Sequence, residues 1–280
     1  ILVTGSSGFL SGYLINELLK NNHEVVGVDN FSKYGKIKKE YDKNKKYKFV
    51  QGDVKDTNLL KSLLEDCDQV VANAAKIGGI HYFNKNSYDL FSENDRILAS
   101  TFDASIYAFK NKKLKKINVI FSSMVYENSK KFPFIEGDQK ICPPPSTIYG
   151  FSKLSSEYFA KAAWDQHRLP YTIVRPFNII GIGEKKTKGE KDKKTGDIKI
   201  SFIHVVPDLI QKILKKQNPL KILGSGKQVR HYTYGGDIAK GIRICIENEK
   251  AINNDFNISI DKAHTVIELA EIIWKKIHPE

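Results

Sequence analysis

The sequence predicts an α/β fold: a doubly wound parallel sheet followed by a smaller C-terminal region. Two observations carry this. Short runs of aliphatic and β-branched residues alternate with longer segments of helical periodicity, and the first run leads into a glycine-rich turn that opens a helix. The strand runs are ILVT (1–4), EVVGV (24–28), YKFV (47–50), QVVAN (69–73), INVIFS (117–122) and YTIVR (171–175). They are near-continuously apolar rather than alternating, the pattern of strands buried on both faces. Between them, helical spacing covers 9–21, 57–65, 87–110 and 149–167. After Arg175 the rhythm breaks. A lysine-rich stretch follows (KKTKGEKDKKTG in its middle), which reads as a surface loop. Beyond it come a helix at 202–216, a short strand LKIL (220–223) and helices at 235–247 and 265–277. The expected division is a dinucleotide-binding domain over 1–177, with 220–247 returning to it, and a substrate-binding region over 178–280.

Composition narrows the function classes. The 280 residues are 41% hydrophobic, ordinary for a globular protein. No apolar run approaches the ~18 residues of a membrane span, and no signal peptide is visible. The three cysteines, Cys67, Cys142 and Cys245, are scattered, which fits a reducing cytoplasm better than a disulfide framework or a metal site. A net charge of +13 invites a nucleic-acid reading. The lysines, however, cluster at 36–48, 110–116 and 185–194, between periodic segments and with few interleaved aromatics. Solvated loops are the better account, so no nucleic-acid or membrane partner is expected.

The stretch TGSSGFLSGYL (4–14) joins the first strand to the first helix. Gly5 and Gly8 allow a tight turn and close backbone approach to a pyrophosphate. The helix start, with Ser7, Phe9 and Leu10, supplies N–H groups and a positive dipole end. Asp29, followed by Asn30, ends the second strand, where a carboxylate accepts hydrogen bonds from ribose hydroxyls and repels a 2′-phosphate. The expected cofactor is NAD rather than NADP. Tyr149 and Lys153 stand four apart in IYGFSKLSSEYF (148–159), a spacing that brings side chains together on any helix.

These features occur together in one order: GSSGFLS, Asp29, GDV (52–54), NAA (73–75), SS (122–123), YGFSK (149–153), RPFN (175–178) and GSGKQVR (224–230). In that order they resemble the extended short-chain dehydrogenase/reductases, and more narrowly the NAD-dependent nucleotide-sugar epimerases and dehydratases. The resemblance covers nearly the whole chain and implies a Rossmann-type fold and a homodimer. It also implies a cytoplasmic enzyme acting on a nucleotide-diphosphate sugar, with a C-terminus that usually runs past Glu280. One departure is Ser11 where the family's third glycine usually stands, from which slightly looser helix–strand packing is expected.

The resemblance also implies roles. Asp53 and Val54 face the adenine. Ala74, Ala75, Lys76 and Pro176 line the ribose and nicotinamide. Asn178 and Arg230 hold the substrate diphosphate, and a fork of donors independently suits phosphate. Tyr149 is the base, Lys153 favours its phenolate, and Ser122 fixes the reacting oxygen. No metal is expected.

Family members share a first oxidation at a sugar carbon and differ afterwards. Dehydratases carry Asp and Glu after the serine or threonine, where Ser123 and Met124 stand here. AAKIGGI (74–80) and FIHVVPDLI (202–210) are similar to the GDP-fucose synthase group, whose proton-moving histidine aligns with His204 but whose cysteine aligns with Met124. His204 reads equally as a helix-start residue facing a loop. The expected activity is 4-epimerisation through a transient 4-keto sugar. The alternatives are a 4-reductase, a 4,6-dehydratase, or a non-catalytic NAD-binding Rossmann sensor. The helices at 87–110 and 149–167 match a dimerising pair in the family, with Leu98, Phe102, Tyr158 and Phe159 as either interface or core.

Overall fold

A computed structural model describes residues 1–78, 85–184 and 204–279. Seven strands form one sheet: β1 (Leu2–Thr4), β2 (Val25–Asp29), β3 (Tyr47–Gln51), β4 (Gln69–Ala72), β5 (Lys116–Ile120), β6 (Tyr171–Pro176) and β10 (Asn254–Ile258). The order is β10-β6-β5-β4-β1-β2-β3, and every pairing is parallel. Neighbouring residues of each central strand point to opposite faces. Leu2, Val70, Val119 and Ile173 enter one core. Their successors Val3, Val71, Ile120 and Val174 enter the other. This is why the central strands read as mostly apolar runs without alternation.

Helices α1 (Phe9–Lys20) and α6 (Gly235–Glu247) cover the second core, with Leu14, Ile15, Leu18, Ile238 and Ile242 inward. Helices α2 (Thr57–Leu63), α3 (Ser87–Asn111) and α4 (Ile148–His167) cover the first. Leu98 and Phe102 belong to this core, at 8% and 3% exposure, and Phe159 packs against it. Tyr158 faces outward at 59% exposure, beside Phe151, Leu154, Ser155 and Ala162, which line a shallow apolar depression.

A third, smaller core joins α5 (Val205–Leu214) to α7 (Val266–Ile277). Two pairs of two-residue strands tie it to the rest: β7 (Ile179–Ile180) pairs with β9 (Thr233–Tyr234), and β8 (Val229–Arg230) with β11 (His264–Thr265). The strand expected at 220–223 does not form. Leu220 and Ile222 pack into the third core instead. The sheet gains β10, which the sequence did not reveal. Part of the helix expected from 202 and the lysine-rich loop lie outside the described residues. Of the returning stretch expected at 220–247, Leu220 and Ile222 belong to the third core, whereas Ile238, Ile242 and Ile246 pack on the sheet and β10 joins it. We therefore propose a division in which 1–177 and 235–258 build the sheet domain, while the rest of 178–280 builds the substrate-binding side. Among the described residues no helix is long and apolar enough to cross a membrane.

Candidate active site

The carboxyl ends of β1, β2, β4, β5 and β6 carry the predicted residues. Gly5 follows β1 at φ +67°, and a Cβ there would sit 2.9 Å from Ala74 Cα. Only glycine meets both demands. Gly8 precedes the first residue of α1, with its ideal Cβ position 3.0 Å from the Gly5 carbonyl oxygen. No side chain caps α1 and its first turn holds no acidic residue, so the Phe9–Leu10 turn presents its N–H groups and dipole to an anion. Ser11 does not loosen the packing. It is fully buried, its hydroxyl donates to the Gly5 carbonyl at 2.7 Å, and it accepts from Asn73 Nδ2 at 2.7 Å. The glycine turn is thereby stitched to the end of β4. Thr4 adds a second stitch, its hydroxyl oxygen accepting from Asn73 and Ala74 N–H at 3.0 Å each.

Asp29 is held across the turn. One carboxylate oxygen accepts from Ser7 N–H at 3.0 Å and the other from Phe31 N–H at 2.7 Å. Asn30 donates to Asp53 at 3.4 Å, linking the ends of β2 and β3. Asp53 also accepts from Lys55 N–H at 2.9 Å, and the Lys55 ammonium lies 2.6 Å from Glu93. Val54 turns into the first core at 7% exposure, and its carbonyl accepts from Ser100. Beyond Ala74 and Ala75, Asn94 of α3 grips Lys76 at two points, accepting from its N–H at 2.7 Å and donating to its carbonyl at 3.1 Å. The lysine side chain remains exposed.

This cradle suits a dinucleotide: a turn with no room for side chains, an uncapped helix start, and a fixed carboxylate beside it. NAD would be held by the Gly5–Leu10 turn, Asp29 and the Ala74–Lys76 segment.

Ser122 follows β5 and caps a single 3-10 turn, Ser123–Tyr126, accepting from Met124 N–H at 3.2 Å. Tyr149 lies in the first turn of α4, whose start is capped by Thr147 accepting from Gly150 N–H at 3.1 Å. The Tyr149 hydroxyl is hydrogen-bonded to Ser122. Lys153, 9% exposed, places its ammonium 5.8 Å from the Tyr149 ring centre. Sequence spacing and fold thus bring Tyr149, Lys153 and Ser122 together.

Burial shapes their electrostatics. Burial pushes the Tyr149 phenol above its ordinary pKa, and the group that pulls it back is Ser122, through its hydrogen bond. Burial also lowers Lys153 to about 8. Burial thus biases both side chains toward their neutral forms, while a pKa of about 8 leaves Lys153 mostly charged at neutral pH.

The substrate side is assembled around β6 and β9. Pro176 is buried at the end of β6. Asn178, at φ +33°, donates to the His231 carbonyl at 3.3 Å, and its own carbonyl accepts from Thr233 N–H at 3.2 Å. Arg230 is exposed on β8, and its guanidinium reaches the Val229 carbonyl at 2.8 Å. Among the described residues no carboxylate pairs with it. Ser123 and Met124 are half-buried beside Ser122. His204 stands immediately before α5 and is taken up by Glu184, whose carboxylate hydrogen-bonds Nδ1. Thr4 and Asn94, and the bonding role of Ser11, escaped sequence reasoning, because a small polar side chain carries no signal until its partner is known.

Comparison with known proteins agrees with this arrangement. A model of the NAD-dependent epimerase/dehydratase family matches residues 1–259. A UDP-N-acetyl-alpha-D-glucosaminuronate decarboxylase of Bacillus cytotoxicus is 29% identical over 280 residues, covering 99% of this chain and 80% of that protein. A human dTDP-D-glucose 4,6-dehydratase is 25% identical, covering 97% of this chain and 71% to 72% of such proteins from human and cattle. The crystal structure of a UDP-glucuronic acid 4-epimerase from Bacillus cereus, in complex with UDP-glucuronic acid and NAD, superposes with a TM-score of 0.79 at 26% identity, covering 100% of this chain and 83% of that one. The glycine cradle, the Rossmann sheet and the matched span of nearly the whole chain make this protein an enzyme of the NAD-dependent epimerase/dehydratase family.

Proposed function

We propose that the protein is a nucleotide-sugar 4-epimerase working through a transient 4-keto sugar. The observation that carries the reading is the turn after β5. The two positions following Ser122 hold Ser123 and Met124, half-buried and without an ionisable group. A thioether has no exchangeable proton. No carboxylate stands there to remove the C5 proton or protonate a leaving hydroxyl, which disfavours dehydration. His204, which aligns with a proton-moving histidine of relatives, is engaged by Glu184, and the matching partner position holds Met124. What remains is Tyr149, Lys153 and Ser122, a set suited to C4 alone.

In this mechanism Tyr149 takes the proton from the C4 hydroxyl and later returns it. Ser122 donates to the same oxygen and fixes its position. Lys153 interacts with the cofactor ribose and, when charged, favours the phenolate. Asn178 and Arg230 hold the diphosphate while the sugar turns over between two faces. NAD supplies reversible hydride acceptance at C4 when bound. The reductase reading is weakened by Asp29, whose carboxylate repels the 2′-phosphate of NADPH. The sensor reading is weakened by the base itself, for which a sensor has no use.

Turnover of an active nucleotide sugar in deuterated water tests the reading, with UDP-, GDP-, dTDP- and CDP-sugars screened first. The expected product is a C4 epimer without deuterium at C3, C5 or C6. Deuterium at C3 or C5, or a 6-deoxy-4-keto product, would overturn it.

A homodimer through α3 and α4 is also proposed. Phe151, Leu154 and Tyr158 form an apolar surface on α4, and Phe151 stacks on Phe91 of α3 at 6.0 Å. Two such helix pairs, meeting across a two-fold axis, would bury it. Light scattering at micromolar concentration should return twice the chain mass; a monomer mass there would refute the dimer.

A further inference from the structure

Arg175 is among the largest fully buried side chains of the molecule. Its guanidinium forms a two-point fork with Glu157 of α4, Nε to Oε1 at 2.6 Å and Nη2 to Oε2 at 2.9 Å. Nη2 also reaches Asp255 of β10 at 2.6 Å. Nη1 reaches the Tyr126 hydroxyl at 3.2 Å and Asn257 Oδ1 at 3.4 Å. Tyr126 in turn donates to Asn257 at 2.9 Å, and Gln139 Nε2 donates to Glu157 at 3.2 Å. Exposure is 0% for Arg175 and Tyr126 and 2% for Glu157.

Such a cluster is a poor source of stability. Desolvating several charges costs about what their attraction returns, and apolar residues of equal volume would hold the core as well. It is a good source of geometry, because a planar fork accepts its partners in one arrangement. The partners here are significant. Glu157 lies on α4 four residues after Lys153 and eight after Tyr149, on the same helical face. Tyr126 ends the turn that Ser122 begins. Arg175 itself immediately precedes Pro176 and stands three residues before Asn178. One side chain therefore touches the helix that carries the base, the turn that carries the serine, and the strand that leads to the substrate side.

We propose that Arg175, with Glu157 and Tyr126, forms a positioning bracket that sets the Ser122 turn against the Tyr149 helix. The bracket touches no substrate. It acts on the reaction through the Tyr149–Ser122 hydrogen bond, and so it rests on the role given to Tyr149 under the proposed function. When the bracket is loosened, the serine hydroxyl no longer meets the phenol in register. Displacements of about 1 Å at reacting groups cost up to ~10²-fold in rate.

Two variants test it in the full chain loaded with NAD. Tyr126→Phe keeps the ring in its stack with Phe134, 5.1 Å away between ring centres, and removes only the hydroxyl. Glu157→Gln keeps the shape and one acceptor and removes the charge. The measurements are kcat per NAD-bound site, KM for the best nucleotide sugar of the panel, the NAD dissociation constant, and the pH profile of kcat/KM. The expected result is a kcat about 10-fold lower in Glu157→Gln and a smaller fall in Tyr126→Phe. KM and NAD affinity stay at wild-type values. The rising limb of the pH profile moves to higher pH, because Ser122 no longer draws the phenol pKa down. A folded variant with wild-type kcat and pH profile, or a loss confined to melting temperature, overturns the proposal. If Glu157→Gln does not fold, Tyr126→Phe decides alone. Activity retained in Tyr149→Phe would instead remove the underlying reading; an inactive Tyr149→Phe beside a wild-type-like Tyr126→Phe removes only the bracket.

Discussion

Tyr149→Phe should lower turnover by at least ~10²-fold, the low end for loss of a general base, while NAD still binds. The substitution keeps the ring and removes only the hydroxyl bonded to Ser122. Because the ring still packs at the first turn of α4, the fold and the cradle at Gly5 are untouched. The measurement pairs steady-state turnover with an NAD titration of the same preparation. Retained turnover would mean that some other group takes the C4 proton. Loss of both turnover and NAD binding would mean that the hydroxyl supports the cofactor site and not the proton transfer alone. Ser122 provides the internal comparison. Its hydrogen bond opposes the effect of burial on the phenol, so Ser122→Ala should cost less than removing the base itself.

Gly5→Ala is expected to have the second largest effect, and on binding rather than chemistry. At φ +67° a residue with a Cβ is strained by about 1–2 kcal/mol. The added methyl would also lie 2.9 Å from Ala74 Cα, a backbone atom that Thr4 holds in place through the neighbouring amide. Relief requires the turn to move away from β4, which carries the Phe9–Leu10 N–H groups off the pyrophosphate position. NAD affinity should fall by at least ~10-fold, since each 1.4 kcal/mol is a factor of ten. Calorimetric titration measures it. An unchanged affinity would show that the dinucleotide does not rest on this turn.

How much of this was legible beforehand depended on where the partner of each residue lies. The central strands were readable because burial on both faces leaves them mostly apolar, with no alternating polar face. The glycine turn was readable because its residues are contiguous. Strand β10 was not, because NDFNI at the sheet edge is half-exposed and mostly polar. LKIL (220–223) misled in the other direction: a short apolar run between Pro219 and Gly224 suits a strand or any buried loop, and α5 and α7 claimed its side chains. Tyr149, Lys153 and Ser122 were found through a recognisable order of residue groups. The bracket around Arg175 was not, because its carboxylate partners lie 18 and 80 residues away in sequence. The bias of Tyr149 and Lys153 toward neutrality was also beyond reach, since burial is a property of the assembled site and not of a spacing.

The position of β10 has a bearing on how the chain matures. The parallel edge of β6 is completed by residues 254–258, after the whole substrate-binding stretch from 205 to 230 has been made. A nascent polypeptide emerging in order would present six strands with β6 as an open flank, and a guanidinium at Arg175 lacking Asp255 and Asn257, for as long as synthesis of that stretch takes. An open flank of this kind is a template for pairing with another nascent chain. The last strand of the sheet to arrive therefore moves the edge from β6 to the more polar β10 and brings Arg175 its second carboxylate, Asp255, in a single docking event.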